Sequence, residues 1–204
     1  LVGSEMCIRD SFDSDKFTKQ YIKLRSSELA YKENEEVKKK PRSVVRSGFD
    51  AYAYFMAYEK EIEELYSSKE DLSKLQKAAL YFVETGSEEK ELDYVRYLAS
   101  YDDLTLAAVE DKPDDKELID WLPDVGKRHY ESIGCQEILS GNRPVTQFFD
   151  SLKYIASYPE TYDSFKNTDG TLNEMAATIA WFSFGCPNGF SRNQFSPMVY
   201  IANN

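Results

Sequence analysis

Phe149-Asp-Ser-Leu-Lys-Tyr-Ile-Ala-Ser-Tyr158 is the stretch that decides the fold. Asp150 is a strong helix N-cap type. Phe149 stands just before it and Tyr154 four residues into the helix that it opens. An apolar residue before the cap that packs on the fourth helical residue is a hydrophobic staple, so the stretch reads as a helix start. The same pattern occurs without gaps at Phe49–Tyr58, Leu92–Tyr101 and Phe195–Asn204, with Asp50, Asp93 and Ser196 at the cap and Tyr54, Tyr97 and Tyr200 at the fourth position. The four starts are separated by 43, 57 and 46 residues. Pro197 falls at the first helical position, where its missing N–H costs nothing. A degenerate further copy begins at Phe12-Asp13, with Phe17 and Tyr21 in the aromatic places.

A second motif follows each complete copy, an aromatic residue four positions before a glycine: Phe82 and Gly86, Tyr130 and Gly134, Trp181 and Gly185. Two independent motifs in the same order, three times, define an internal repeat. Ser157-Tyr-Pro-Glu160 and Ser100–Asp103 have the spacing of capping boxes and open a second helix. A longer third helix carries an apolar stripe at helical spacing, Leu72, Leu75, Ala79 and Phe82 in one copy and Leu172, Met175, Ile179 and Phe182 in another. The glycines sit where left-handed C-terminal caps are expected. Pro123 is expected to break the second copy, and the acidic insert Glu110–Glu117 accounts for its extra length. The expected fold is all-α: tandem short-helix repeats stacked as an irregular α-array.

The expected divisions are a degenerate N-terminal repeat and basic linker at 12–48, repeats at 49–91, 92–148 and 149–194, and a truncated repeat at 195–204. Residues 1–11 are read apart. Ser4-Glu-Met-Cys-Ile-Arg-Asp-Ser11 resembles the translation of a sequencing adapter, and Leu1–Ser11 is therefore set aside as disordered and not part of the fold. The missing initiator Met and the stop inside a motif at Asn204 fit a fragment of a longer protein.

These residues resemble an uncharacterised tandem helical repeat of bacterial and large DNA virus proteins, of the form Phe-Asp-x3-Tyr-Ile-Ala-Ser-Tyr-Pro, then His-Tyr-x3-Gly, then Glu-Gly-Arg. The resemblance covers about Phe49 to Asn204. Phe149–Pro159 and His129–Gly134 carry it best, and only Arg143 and Arg192 correspond to the last element. Such repeats sometimes stand beside secreted calcium-binding domains or glycosyltransferases. The resemblance implies no catalytic residue.

Composition bounds the remaining chemistry. Hydrophobic residues make up 42% and aromatic residues 14%, with fifteen Tyr and twelve Phe, enough for a packed core. A net charge of −11 repels nucleic acid, whose affinity comes from Lys and Arg on phosphates. The basic run Lys38-Lys-Lys-Pro-Arg42 reads as a solvated linker. The longest apolar stretch, Met175–Cys186, is far short of the ~20 residues that span a bilayer. The single His129 cannot form a His-rich metal site, and although Cys135 lies six residues on, no serine has a nucleophile elbow. Cys135 and Cys186, each following the glycine of a copy, read as small buried filler; a bridge between them would need Cα atoms within about 7 Å. Asn167–Glu174 fails as a calcium loop, because Phe165 and Ala176 occupy the first and twelfth places. The pairs Asp102-Asp103 and Asp114-Asp115 read as ordinary acidic surface.

No catalytic, cofactor or metal residues are therefore assigned. The expected function is a non-catalytic scaffold or protein-interaction segment, with protein partners that include self-association through 195–204, and with neither nucleic acid nor membrane. The alternative is an accessory module of a larger secreted or viral enzyme whose catalytic domain lies outside this chain. Composition and motifs leave the compartment open.

Overall fold

The computed structural model describes residues 49–192. The adapter-like segment 1–11, the stretch 12–48 with its basic run, and the fourth copy at 195–204 lie outside the described residues. Within them the chain is all-α: nine α-helices, no strand, and one isolated bridge between Lys166 and Leu172. The helices are α1 (Ala51–Ala57), α2 (Glu59–Leu65), α3 (Lys74–Thr85), α4 (Tyr94–Ala99), α5 (Asp102–Glu110), α6 (Leu118–His129), α7 (Cys135–Leu139), α8 (Ser151–Ser157) and α9 (Glu174–Ala180). A π-helical turn, Tyr130–Gly134, follows α6, and a second, Trp181–Gly185, follows α9; Pro159–Phe165 is a 3-10 segment. No described helix is long and apolar enough to cross a membrane.

The chain divides into two compact units. The first takes the described residues 49–92 together with Glu131–Val145. Its α1 starts on Asp50, whose carboxylate accepts from the N–H groups of Tyr52 and Ala53 at 3.0 and 2.9 Å. Helix α1 buries six of its seven residues, as a helix that is apolar all round must. Helix α2 buries only Ile62. Helix α3 opens on a complete capping box between Ser73 and Gln76 and ends on Gly86, which adopts φ 62° and ψ 28°. That left-handed end is the one expected for all three motif glycines. Its buried Lys77 sends the ammonium to Glu63 at 3.5 Å.

The second unit takes Asp93–Tyr130 and 146–192. Helices α4 and α8 start on Asp93 and Asp150, which accept from the N–H groups of Arg96 and Lys153 at 2.9 and 3.0 Å. All three described cap residues therefore behave as their chemistry dictates. Several sequence expectations do not hold. Ser100 and Ser157 form no capping boxes: α5 and the 3-10 segment begin at Tyr101 and Tyr158 without a side-chain cap. Each serine turns its hydroxyl back and donates to the carbonyl four residues earlier, on Arg96 or Lys153, at 2.7 Å. Pro123 does not break the chain but sits inside α6. It faces solvent, as does Ile119 one turn earlier, so water can reach the carbonyl that proline leaves without its helical partner. The stripe on the last helix is also displaced: Met175 is exposed, and Ala177, Trp181 and Phe182 are buried. In the first unit Leu72 precedes α3 and is half-buried.

The caps and staples predict a clear ranking under urea denaturation. Asp150→Ala should lower stability by about 1 kcal/mol through loss of the cap. Phe149→Ala should cost ~3–5 kcal/mol, because the ring is buried. Equal small losses for the two would refute the staple.

Candidate functional site

The two sequence motifs meet in space, and they do so alike in all three described copies. Tyr54 lies edge-on to Phe82 at 5.4 Å and 86°, Tyr97 to Tyr130 at 5.2 Å and 77°, and Tyr154 to Trp181 at 5.6 Å and 74°. Phe49 and Phe149 lie against the same closing rings at 4.6 and 5.7 Å. A T-shaped pair sets the positive edge of one ring on the negative face of the other and contributes about 0.5–1.5 kcal/mol beyond area burial. Burial pushes the Tyr54 and Tyr154 hydroxyls above the ordinary tyrosine value.

The closing glycines do different jobs. Gly86 ends its helix left-handed. Gly134 is right-handed at φ −60°, and Gly185 lies inside a π turn without a positive φ. At Gly185 an added Cβ would stand 2.6 Å from Tyr154 Oη and 2.9 Å from Trp181 Cε3. Glycine is required there because the tyrosine lies directly against its backbone.

In the second unit the polar interactions gather on Ser100, which is fully buried. Its hydroxyl accepts from the N–H of Phe149 at 2.9 Å while donating to Arg96. Its carbonyl accepts from Thr146 Oγ1 at 3.4 Å and from the guanidinium of Arg192. Arg96 returns a hydrogen bond of 2.9 Å to the carbonyl of Phe149 and lies over the Phe148 ring. Arg192 also pairs with Asp102 at 3.3 Å, and Cys186 Sγ lies 3.8 Å from the Asp102 carbonyl. The residues Arg96–Thr105 are thus clasped by the entry to the third copy, Thr146–Phe149, and by its exit, Cys186–Arg192. Sequence reasoning missed this junction. It took Ser100 for a cap, and the only trace of the real role was the recurrence of serine at Ser157.

The other sequence candidates fall into structural places. His129 Nδ1 shares a 3.0 Å hydrogen bond with Tyr97 Oη, beside the second T-shaped pair. Cys135 and Cys186 are both buried free thiols. Burial first, and the Asp102 carboxylate second, push the Cys186 thiol from 9.0 up to about 11. Asp169 turns on Thr171, accepting from its N–H at 2.9 Å and from its hydroxyl at 2.6 Å, which lowers the Asp169 pKa. Gly170 completes that turn at φ 86°. Asp102 serves Arg192, and Asp103, Asp114 and Asp115 are exposed. Arg143 pairs with Glu137 at 2.7 Å within the first unit. Among the described residues no three His, Cys, Asp or Glu side chains gather where they could hold a metal ion.

Comparison with family models, with curated proteins and with solved structures gives no match to this chain.

Three outcomes follow from this geometry. Gly185→Ala should destabilise by about 1–3 kcal/mol through overpacking, and Tyr154→Phe in the same chain should recover part of the loss. Gly86→Ala should cost ~1–2 kcal/mol from backbone handedness, with no rescue by any side-chain change; urea midpoints of the three variants decide this. Cys186 should resist iodoacetamide at pH 8 until denaturant is added, by mass mapping of the alkylated peptide. Because its folded pKa lies above 9.0, its contribution to stability is full below that pH and falls away as pH climbs towards about 11. Alkylation of the native protein at the rate of a free thiol would contradict the burial.

Proposed function

We propose that the chain is a segment of a helical-repeat scaffold that works by protein interaction and carries no catalytic chemistry of its own. Its repeats span 49–91, 92–148 and 149–194, stacked as an irregular α-array, with a degenerate copy at 12–48 and an opening copy at 195–204. The observation that supports this reading is the recurrence of one construction: an Asp-capped helix whose tyrosine stands edge-on to the ring four residues before a glycine. Stacked units of this kind share one continuous core and present an extended surface to partners.

The reactive side chains are engaged in the construction itself. His129 holds Tyr97, Ser100 joins two segments of backbone, and the neutral thiol of Cys186 lies against Asp102. A charge of −11 opposes a nucleic-acid partner and suits proteins with basic surfaces. Exposed apolar side chains on the helices, such as Leu152 and Met175, provide contact points within that acidic surface.

The test has two readouts. Purified chain should not turn over ester, peptide, glycoside or phosphate reporter substrates above buffer. A rate that His129→Ala abolishes, in a chain of unchanged helicity, would overturn the non-catalytic reading. A partner recovered by proximity labelling should be lost on Leu152→Glu or Met175→Glu and kept in His129→Ala.

A further inference from the structure

The same position of each copy, thirteen residues after its opening apolar residue, is occupied by Ile62, Thr105 and Tyr162. Ile62 and Thr105 have 0% exposure and Tyr162 has 41%. In the second unit the cover over Thr105 is visible. The exit of the third copy lies on it: Cys186 reaches the Thr105 side chain and the Asp102 carbonyl, and Arg192 closes on Ser100 and Asp102. Ile62 belongs to the unit that also contains Gly134 and Cys135, the equivalent exit of the second copy. The third copy differs along this edge, where Tyr158 is met by Phe190 and Ser191 of the copy's own exit. Ala99, Ser100 and Tyr101 are buried, whereas their counterparts Ala156, Ser157 and Tyr158 are half-exposed and Tyr162 is open.

The geometry points to the Ser157–Tyr162 edge as the docking surface for one further helical repeat of the same kind. It would enter as the third copy enters on the second: through the turn from its closing aromatic to glycine and the small residue after it, with an arginine beyond. The inference rests on the scaffold reading above and adds which surface receives the next unit and by which segment. What argues for that occupant is continuity with an interface already formed, since the edge of the second copy is covered by the exit of the third copy together with its entry, Thr146–Phe149. Three features of the third copy keep the contact available. Lys153 occupies the place of Arg96, whose guanidinium bonds the backbone of the incoming copy. Serine is retained at 157 with its hydroxyl turned to the preceding helix as in Ser100. Pro159 replaces Asp102, so the ion pair with the incoming arginine has no equivalent at that position. Glu160 follows one residue later and supplies the carboxylate. The motif that opens at Phe195 begins a repeat of this kind in the sequence.

The test extends the chain. A second copy of residues 149–194, marked by Thr161→Ser so that its peptides can be told apart, is placed directly after residue 194 of the full chain. Tyrosine nitration by tetranitromethane is then mapped by mass spectrometry in both proteins. Tyr162 should react readily in the original chain and at least tenfold more slowly in the extended one, while the marked copy's own tyrosine at that position stays reactive. A second measurement guards against misfolding. Tyr162→Asp should leave the urea midpoint of the original chain unchanged and should release the added repeat in the extended chain, seen as loss of its helical signal at low urea. Equal nitration of Tyr162 in the two proteins would overturn the docking surface, as would an added repeat that does not become helical. Either result leaves the scaffold reading standing, because that reading fails on turnover and not on Tyr162.

Discussion

The contact between the tyrosine of each opening helix and the ring of each closing turn is the constraint from which the rest of the described structure follows. Helix α4 has six residues, and α1 and α8 have seven each. Helices so short are not stable in isolation, since nucleation costs more than so few hydrogen bonds return. They persist because Tyr54, Tyr97 and Tyr154 tie them to elements 28, 33 and 27 residues further along the chain. The aspartate caps fix where each short helix begins, and so fix which way its tyrosine points. A cap displaced by one residue would turn the tyrosine through about 100° and lose the ring contact.

The short helices were legible because their signals are local. Asp50, Asp93 and Asp150 announce helix starts through backbone chemistry that any surroundings would leave intact. The pairing of the two motifs could be suspected from their shared order, but the edge-on geometry depends on packing between distant residues. Ser100 was misread for a related reason. A serine three residues before an acid suits a capping box locally. A junction that must satisfy the N–H of Phe149, forty-nine residues later, takes the hydroxyl for itself. A buried backbone N–H without a partner costs more than a cap contributes, so the distant demand wins. Met175 was misplaced because helical spacing locates a stripe only to within a residue or two, and the stripe belongs to Ala177 and Trp181. Pro123 was misread because proline's cost depends on whether water reaches the orphaned carbonyl, which spacing does not reveal.

The polar groups of the second unit are used to hold its segments together. A nucleophile needs a base beside it and access to solvent. Ser100 is fully buried, with its hydroxyl committed as both donor and acceptor. Cys186 is held neutral by burial and a neighbouring carboxylate, the reverse of the electropositive setting that makes a thiolate. His129 is engaged with a tyrosine. Of these, His129 is the one that sequence inspection weighs for catalysis, and each of the three is employed in holding one segment to another.

The glycine of the second motif shows how one sequence signal can answer two structural needs. After Phe82, the Gly86 N–H bonds back to the fourth residue before it and the helix stops left-handed. After Trp181, the N–H of Cys186 bonds back to the fifth residue before it, at 2.8 Å, and the chain continues through a wider turn. The N–H of Phe190 repeats that longer bond on Gly185. A π turn inserts one residue into a helix and shifts everything beyond it by about 100°. Here the shift accompanies a bulky ring, Trp181, packed beside Tyr154, with glycine where the tyrosine crosses the backbone. It also carries the helix onward to Cys186, so that the thiol reaches the carbonyl of Asp102. The first copy, which ends at Gly86, has Ser87 in the place of the cysteine and builds no such continuation. At Gly86 and at Gly185 the same spacing from aromatic to glycine therefore answers two different constraints, handedness at the first and close approach at the second.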